Sequence, residues 1–425
     1  MKNILRFLII SLFIIFLSFS IYSLNSKYKL KVVYDDLEWT INNKDCLNAV
    51  AFDFDDKGNI YVAYKNCIEK INDDNKVKVL FRNDTLNIYD VVVYNNSLII
   101  ASNNSIIKYD MSEGTFEDVV NNIPNKGINK EIKLIVNKDI LYASIGSNTN
   151  SGVVDSENGE VDVPSFQWIL SGERYGRSGT SGFCDFGKNV EENTAINEGK
   201  ISNGTIIACN LMNNEVTTYA TGIRNVKGYD FTSEEKIIAI IGGIENTGDR
   251  GILNDKDYIY KIKEKCWYGW PDYSGGDPIN SPRFSIGSSK KGFIIKNHPT
   301  EVVYGSLYQH KSINSIEGLA IDSDGKCLNK DTIVFADNKE RALYAMSLSG
   351  SAKSIIKLAD NSYIKSIKYH EGNMYILDSN MGCIYKLGRE TDLNVFNLPK
   401  IIWIFFIVFI IAIILITTVK FQDKR

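Results

Sequence analysis

The strongest constraint on the fold is a strand pattern that this chain writes six times. Each copy has an alternating apolar segment, a tight polar turn and a second, more continuously apolar segment. The copies begin at Leu47, Ile88, Ile132, Val226, Ile316 and Ile364, and their second segments cover 60–63, 98–101, 141–144, 237–240, 332–335 and 374–377. Segments of period two separated by Asp-Gly, Asn-Asn or Glu-Gly turns form antiparallel meanders. Where copies follow one another directly they lie just over ~40 residues apart, the spacing of four-stranded propeller blades. Two intervals are about twice as long, but their extra residues are not strand-like: 149–200 is rich in Gly, Ser, Glu and Asn, and 266–304 carries aromatic residues, Gly and Pro. These read as loop insertions, so the pattern predicts an all-β, six-bladed β-propeller with its inserts gathered at one face.

The ends are of a different character. Residues 7–26 and 401–419 carry no charge, and each run is long enough for a helix to cross the roughly 30 Å hydrocarbon core of a bilayer. Lys2 and Arg6 precede the first run, and Lys420, Lys424 and Arg425 follow the second. Basic flanks favour the cytoplasmic side, which places the middle of the chain outside it. The expected layout is a signal peptide or N-terminal membrane anchor at 1–26, an extracytoplasmic propeller at 27–395, a C-terminal transmembrane helix at 400–420 and a basic cytoplasmic tail at 421–425. Whether the first segment is cleaved or retained stays open, because no Ala-x-Ala site follows it. The formal net charge of −3 offers no basic surface for nucleic acid. Seven cysteines occur without Cys-x-x-Cys spacing, which excludes a zinc or thioredoxin-type motif; most read as isolated buried thiols, with one or two disulfides open to an extracytoplasmic domain.

The most specific stretch is 222–278. It opens Gly222-Ile223-Arg224-Asn225-Val226-Lys227-Gly228, continues through Gly248-Asp249-Arg250 and Asn254-Asp255-Lys256-Asp257, and closes Tyr268-Gly269-Trp270-Pro271-Asp272-Tyr273-Ser274-Gly275-Gly276. In order and spacing these elements resemble the glucose/sorbosone dehydrogenase family, the soluble-quinoprotein sugar dehydrogenases. The turn Ile145-Gly146-Ser147-Asn148 is similar to that family as well. The repeat layout extends the likeness over roughly 45–390, while its specific motifs lie in 140–148 and 220–284.

The resemblance implies a pyrroloquinoline quinone (PQQ) cofactor, calcium, and a small sugar or polyol as substrate. It implies cofactor contacts at Arg224 and Asn225, with Lys339 and Arg341 as the nearest counterparts of a later basic segment. A guanidinium suits this role because it stabilises negative charge developing on a quinone oxygen. Asp249, Asp255 and Asp257 would supply hard oxygen ligands for calcium, and Tyr268, Trp270, Asp272 and Tyr273 a wall for the sugar. Each has a plainer reading: a salt bridge locking an insert for Arg224, a solvated acidic loop for the aspartates, and a cap on the propeller face for the aromatics. The Asp55-Asp56-Lys57-Gly58 and Asp322-Ser323-Asp324-Gly325 segments read as hairpin turns.

One element of the family pattern is missing. Oxidising a sugar hydroxyl calls for a base near neutral pKa, usually histidine, and the family carries one just before the strand corresponding to 132–136. Here that position reads Asn129-Lys130-Glu131, and the only histidines are His298, His310 and His370. Two functions follow as expectations: a membrane-anchored, extracytoplasmic sugar dehydrogenase relative, or a non-catalytic propeller that binds carbohydrate or a cell-envelope partner.

Overall fold

The computed structural model describes residues 13, 28, 30–34, 36–156, 159–285 and 290–389. The terminal apolar runs lie outside these residues, as do the tail and the boundaries drawn at 395 and 400. Among the described residues no helix is long and apolar enough to cross a membrane.

Six antiparallel sheets form the six expected blades. The innermost strands are Ala51–Phe54, Ile88–Tyr94, Leu134–Asn137, Val226–Phe231, Ile316–Asp322 and Ile364–His370, and each coincides with the first segment of one sequence repeat. The second strands are almost entirely buried, as in Ser97–Ser102, Ile237–Ile241 and Asn373–Asp378. Each is covered on both faces by a neighbouring blade, which is why these segments read as continuous apolar runs rather than alternating ones. Six apolar cores lie between successive blades: between blades 1 and 2, for example, Tyr61 and Ile68 meet Leu98 and Ile100, and between blades 6 and 1 Leu377 and Ile384 meet Phe52 and Val62. A seventh core, built around Trp168, Trp267 and Trp270, belongs to the inserts.

The ring is closed by the chain's N-terminal part. Leu37–Lys44 forms the outer strand of blade 6, paired with Cys383–Arg389 from Leu37↔Arg389 to Lys44↔Cys383. Just before it, Lys31–Val32 pairs with Ala352–Lys357, the outer strand of blade 5. The first described segment thus straps two blades together.

Around the axis, innermost-strand carboxylates join one blade to the next. Asp53 accepts the Val93 N–H at 2.8 Å, Asp90 the Leu134 N–H at 2.8 Å and Asp230 the Ile321 N–H at 2.9 Å. Between blades 3 and 4 the Tyr229 hydroxyl donates to the carbonyls of Lys133 and Tyr142. Lys368 faces this group from blade 6, with Nζ 3.7 Å from Asp53 Oδ1. Burial pulls the Lys368 pKa down, but Asp53, Asp90 and Asp230 outweigh it and the net shift is upward. Cys46, Cys67, Cys209, Cys327 and Cys383 are buried. Burial pushes the Cys46 and Cys327 thiols up to about 12, so they behave as small apolar groups.

Replacing Lys368 with Ala should leave these carboxylates without their shared cation and lower stability by about 3 kcal/mol, the scale of breaking a buried ion pair; denaturant unfolding measures the loss, and Lys368→Arg should recover most of it.

Candidate functional site at the propeller mouth

The turns that lead into the innermost strands and those joining second to third strands lie at one end of the ring. Both long additions reach it. Residues 146–204 join the second and third strands of blade 3, Ile140–Ile145 and Thr205–Asn210. The second addition leaves blade 4 at the opposite end, after Tyr258–Ile262, and climbs the outside of blade 3, where Cys266–Trp267 pairs in parallel with Ala220 and Thr221. It arrives at the mouth as the Trp270 N–H donates to the Gly222 carbonyl at 2.9 Å.

Arg224 sits between these additions and is buried, 3 % exposed. Its Nε donates to the Asn150 carbonyl at 3.1 Å, and one terminal nitrogen reaches Asn150 Oδ1 at 3.0 Å and Glu245 Oε1 at 3.5 Å. Burial lowers its pKa and Glu245 partly offsets that. Asn150 is the hub: its amide also donates to the carbonyls of Glu245 and Thr247, its Oδ1 accepts the Glu245 N–H, and its carbonyl accepts the Trp270 indole N–H at 3.2 Å. Arg224 therefore ties the blade 3 addition to blade 4. Asn225 donates to Asn129 Oδ1 at 3.0 Å, and its own buried Oδ1 has no partner.

The other expected site residues fall elsewhere. Asp255 accepts the N–H groups of Ile244 and Lys256 and the Tyr258 hydroxyl; Asp257 accepts those of Ser315 and Ile316 and lies 3.8 Å from Lys227 Nζ. Both carboxylates are saturated by the chain itself, and Asp249 stands apart from them on a cavity wall. Among the described residues no three His, Cys, Asp or Glu side chains gather to hold a metal. Asp272 is buried against Arg250 at 2.6 Å and accepts the N–H groups of Ile294 and Ile295. Tyr268 closes its own hairpin through Lys261 and Lys263, Trp270 packs edge-on against Phe183, and Tyr273 stacks on Phe293. The expected sugar wall is turned inward and caps the propeller. Lys339 donates to the Ile313 carbonyl and Arg341 pairs with Asp360; neither bonds to Arg224 or Asn225.

None of Asn129, Lys130, Glu131 and the three histidines takes the missing histidine's place. Asn129, bonded to Asn225 and Ser147, is an amide and accepts no proton at neutral pH. Burial pushes the Glu131 pKa up, but Lys133 and Lys365 outweigh it and hold the carboxyl at about 2. Lys130 is exposed. His298 lies 3.0 Å from Asp272 and stacks on Trp267, His310 is buried 3.0 Å from Asp337, and His370 stacks on Phe54 at the far end of its strand. As placed, Arg224 is turned to Asn150 and Glu245, and among the described residues Asp249, Asp255 and Asp257 do not gather into one cluster.

What the mouth does offer is a cavity of about 550 Å3 between segments 127–128, 149–156 and 247–249. Of its lining only Asp249 stood out in the sequence. Asn150 lies in a run of small polar residues, where nothing marks the one that bridges two inserts.

Solved structures share this architecture. The calcium structure of a Trichoderma reesei enzyme of carbohydrate-active family AA12 superposes with a TM-score of 0.59 at 13% identity, covering 85% of this chain and 98% of that one. The PQQ-bound aldose sugar dehydrogenase from Streptomyces coelicolor gives 0.54 at 13% identity, over 83% and 98%. The fold is that of these sugar dehydrogenases. The holo PQQ domain of Coprinopsis cinerea pyranose dehydrogenase agrees, with 0.57 at 11% identity over 85% and 97%. No protein-family model matches the chain, and no curated protein matches it by sequence.

The His310–Asp337 pair gives the mouth an acid limit. Burial raises the Asp337 pKa, yet hydrogen bonds from His310 and Ser315 outweigh it and hold the carboxyl at about 2. A depressed carboxyl pKa contributes stability above its unfolded value and loses it as pH falls. Stability should therefore drop by about 2 kcal/mol between pH 4 and pH 2 from this group, and Asp337→Asn should remove that component from a pH series of denaturant melts.

Proposed function

We propose that this chain is a sugar-binding propeller of the dehydrogenase fold, held on the outer side of the cell membrane, and that it takes a small saccharide or polyol into the cavity at its mouth. One observation carries the reading: a cavity of about 550 Å3 opens at the mouth between the blade 3 insert, the 127–128 turn and the blade 4 loop at 247–249, in a fold that sugar dehydrogenases share over more than four-fifths of the chain. Its size lies within the range of small-molecule sites. Glycine at 248 keeps it open, since a Cβ there would stand 2.5 Å from Asp155 Oδ2. The second reading is oxidation of the bound sugar with PQQ, the group held by two of the neighbouring structures. It draws on the Arg224–Asn225 pair and on the unpartnered Asn225 Oδ1. It also requires Arg224 to leave Asn150, and a base other than Asn129.

Saccharide binding should be measurable by calorimetry and should weaken by about tenfold or more in Gly248→Val, a change of about 1.4 kcal/mol. Given PQQ, calcium and a panel of aldoses, the full chain should not reduce an artificial electron acceptor. Turnover that Arg224→Ala abolishes would establish the second reading instead. The membrane placement rests on the apolar runs at 7–26 and 401–419; protease added to intact cells should digest the propeller, and protection of it would overturn that placement.

A further inference from the structure

Both ends of the propeller lie on the outer rim of blades 5 and 6. Leu30 is buried in the core between these blades, and only residues 27–29 separate it from the apolar run at 7–26. From there the chain follows the edge of blade 5 through Lys31–Val32 and enters the closing strand at Leu37, whose pairing partner is Arg389. The last described strand ends at Arg389, and only residues 390–400 precede the apolar run at 401–419. A segment of that length spans at most about 40 Å, so both apolar runs attach within reach of this one stretch of rim.

That stretch carries both elements of an interfacial surface. Val33 and Tyr34 are 47 % and 37 % exposed, and a tyrosine, with an apolar ring and a polar tip, suits the boundary between acyl chains and headgroups. Lys31 and Lys357 stand directly opposite each other across the outermost strand pair of blade 5, and Lys353 lies on the same outer strand. All three are exposed, and among the described residues no carboxylate pairs with them. Like charges set directly opposite repel, and this pair is stabilised where an anionic surface neutralises it. Asp35 and Asp36 follow Tyr34 in sequence, at the other end of the stretch from that pair. Arg389 is not a free cation, since its guanidinium donates to the carbonyls of Cys327 and Leu328. Val302 is more exposed, at 81 %, but it lies outside blade 3, across the ring from blade 6, where neither end of the described chain emerges.

We propose that the rim of blades 5 and 6 docks on an anionic bilayer surface, with Val33 and Tyr34 at the headgroup boundary and Lys31, Lys353 and Lys357 against lipid phosphates. The ring then stands on edge with its axis along the membrane plane, and the mouth cavity opens sideways to the medium rather than onto the bilayer. The docking rests on the proposed membrane placement and adds the orientation that the propeller takes there.

Photocrosslinking of the full chain in vesicles of phosphatidylcholine and phosphatidylglycerol tests orientation and placement separately. The photoreactive residue p-benzoylphenylalanine is substituted at Val33 or Tyr34 on the rim, Ile128 at the mouth, Met212 at the far end or Val302 outside blade 3. Lipid should be joined at 33 and 34, and only at background level at the other three positions, although Met212 and Val302 are the more exposed. Lys31→Glu combined with Lys357→Glu should lower the yield at 34 by about fivefold or more, since one lysine at an anionic surface accounts for about fivefold, and high salt should lower it as well. Equal yields at all positions, a highest yield at 128, 212 or 302, or a yield at 34 that ignores both substitutions and salt overturns the edge-on docking and leaves the membrane placement standing. Failure of the chain to float with the vesicles overturns that placement.

Discussion

A propeller is a ring of blades that touch only their neighbours, so everything depends on how the last blade meets the first. In this protein blade 6 takes three strands from the end of the described residues and the fourth, Leu37–Lys44, from near their beginning. Pairing across more than 300 residues of sequence is entropically expensive for an open chain. It becomes favourable once the intervening blades have stacked and brought Cys383–Arg389 beside it. The six interblade cores and the closure strand thus depend on one another, and the apolar cores supply most of the driving force. The axial carboxylates add direction: Asp53, Asp90 and Asp230 each reach across to a backbone N–H of the following blade, fixing how innermost strands sit side by side.

On that frame the mouth is a place where loops are held by polar groups rather than by a ladder. Asn150 receives from Arg224 and Trp270 and donates to the 245–247 backbone. Arg250 donates to Asp272 and to the carbonyls of Ser151, Pro271 and Gly292. Each buried guanidinium meets several acceptors, the condition under which burying charge is tolerated, although the Arg250 Nε has none. The chemistry that suits a cation to a cofactor also suits it to joining loops, and here the loops have it.

This explains what the sequence could and could not disclose. Strand repeats announce themselves because a propeller blade imposes local periodicity, and all six copies became innermost and second strands. The inserts were legible for the converse reason, since 149–200 and 266–304 lack that periodicity. The roles of Arg224, Asp255, Asp257 and Asp272 were not. Each looks like a ligand residue when read in its own motif, and each is claimed by a partner set by three-dimensional packing, such as Asn150 for Arg224 or Ser315 for Asp257. The absence of histidine near residue 130 was visible in the sequence, and the structure adds that Asn129 is already engaged on both sides.

The short parallel pairing of Cys266–Trp267 with blade 3 couples parts that a propeller ordinarily keeps independent. Blade 4 sends its chain across the outer edge of blade 3, so that edge is shielded from pairing with other strands, and neither blade can peel from the ring without disturbing the other. Blades 3 and 4 with their loops are thereby expected to open together in local unfolding, with amide exchange in that sector reporting one shared event.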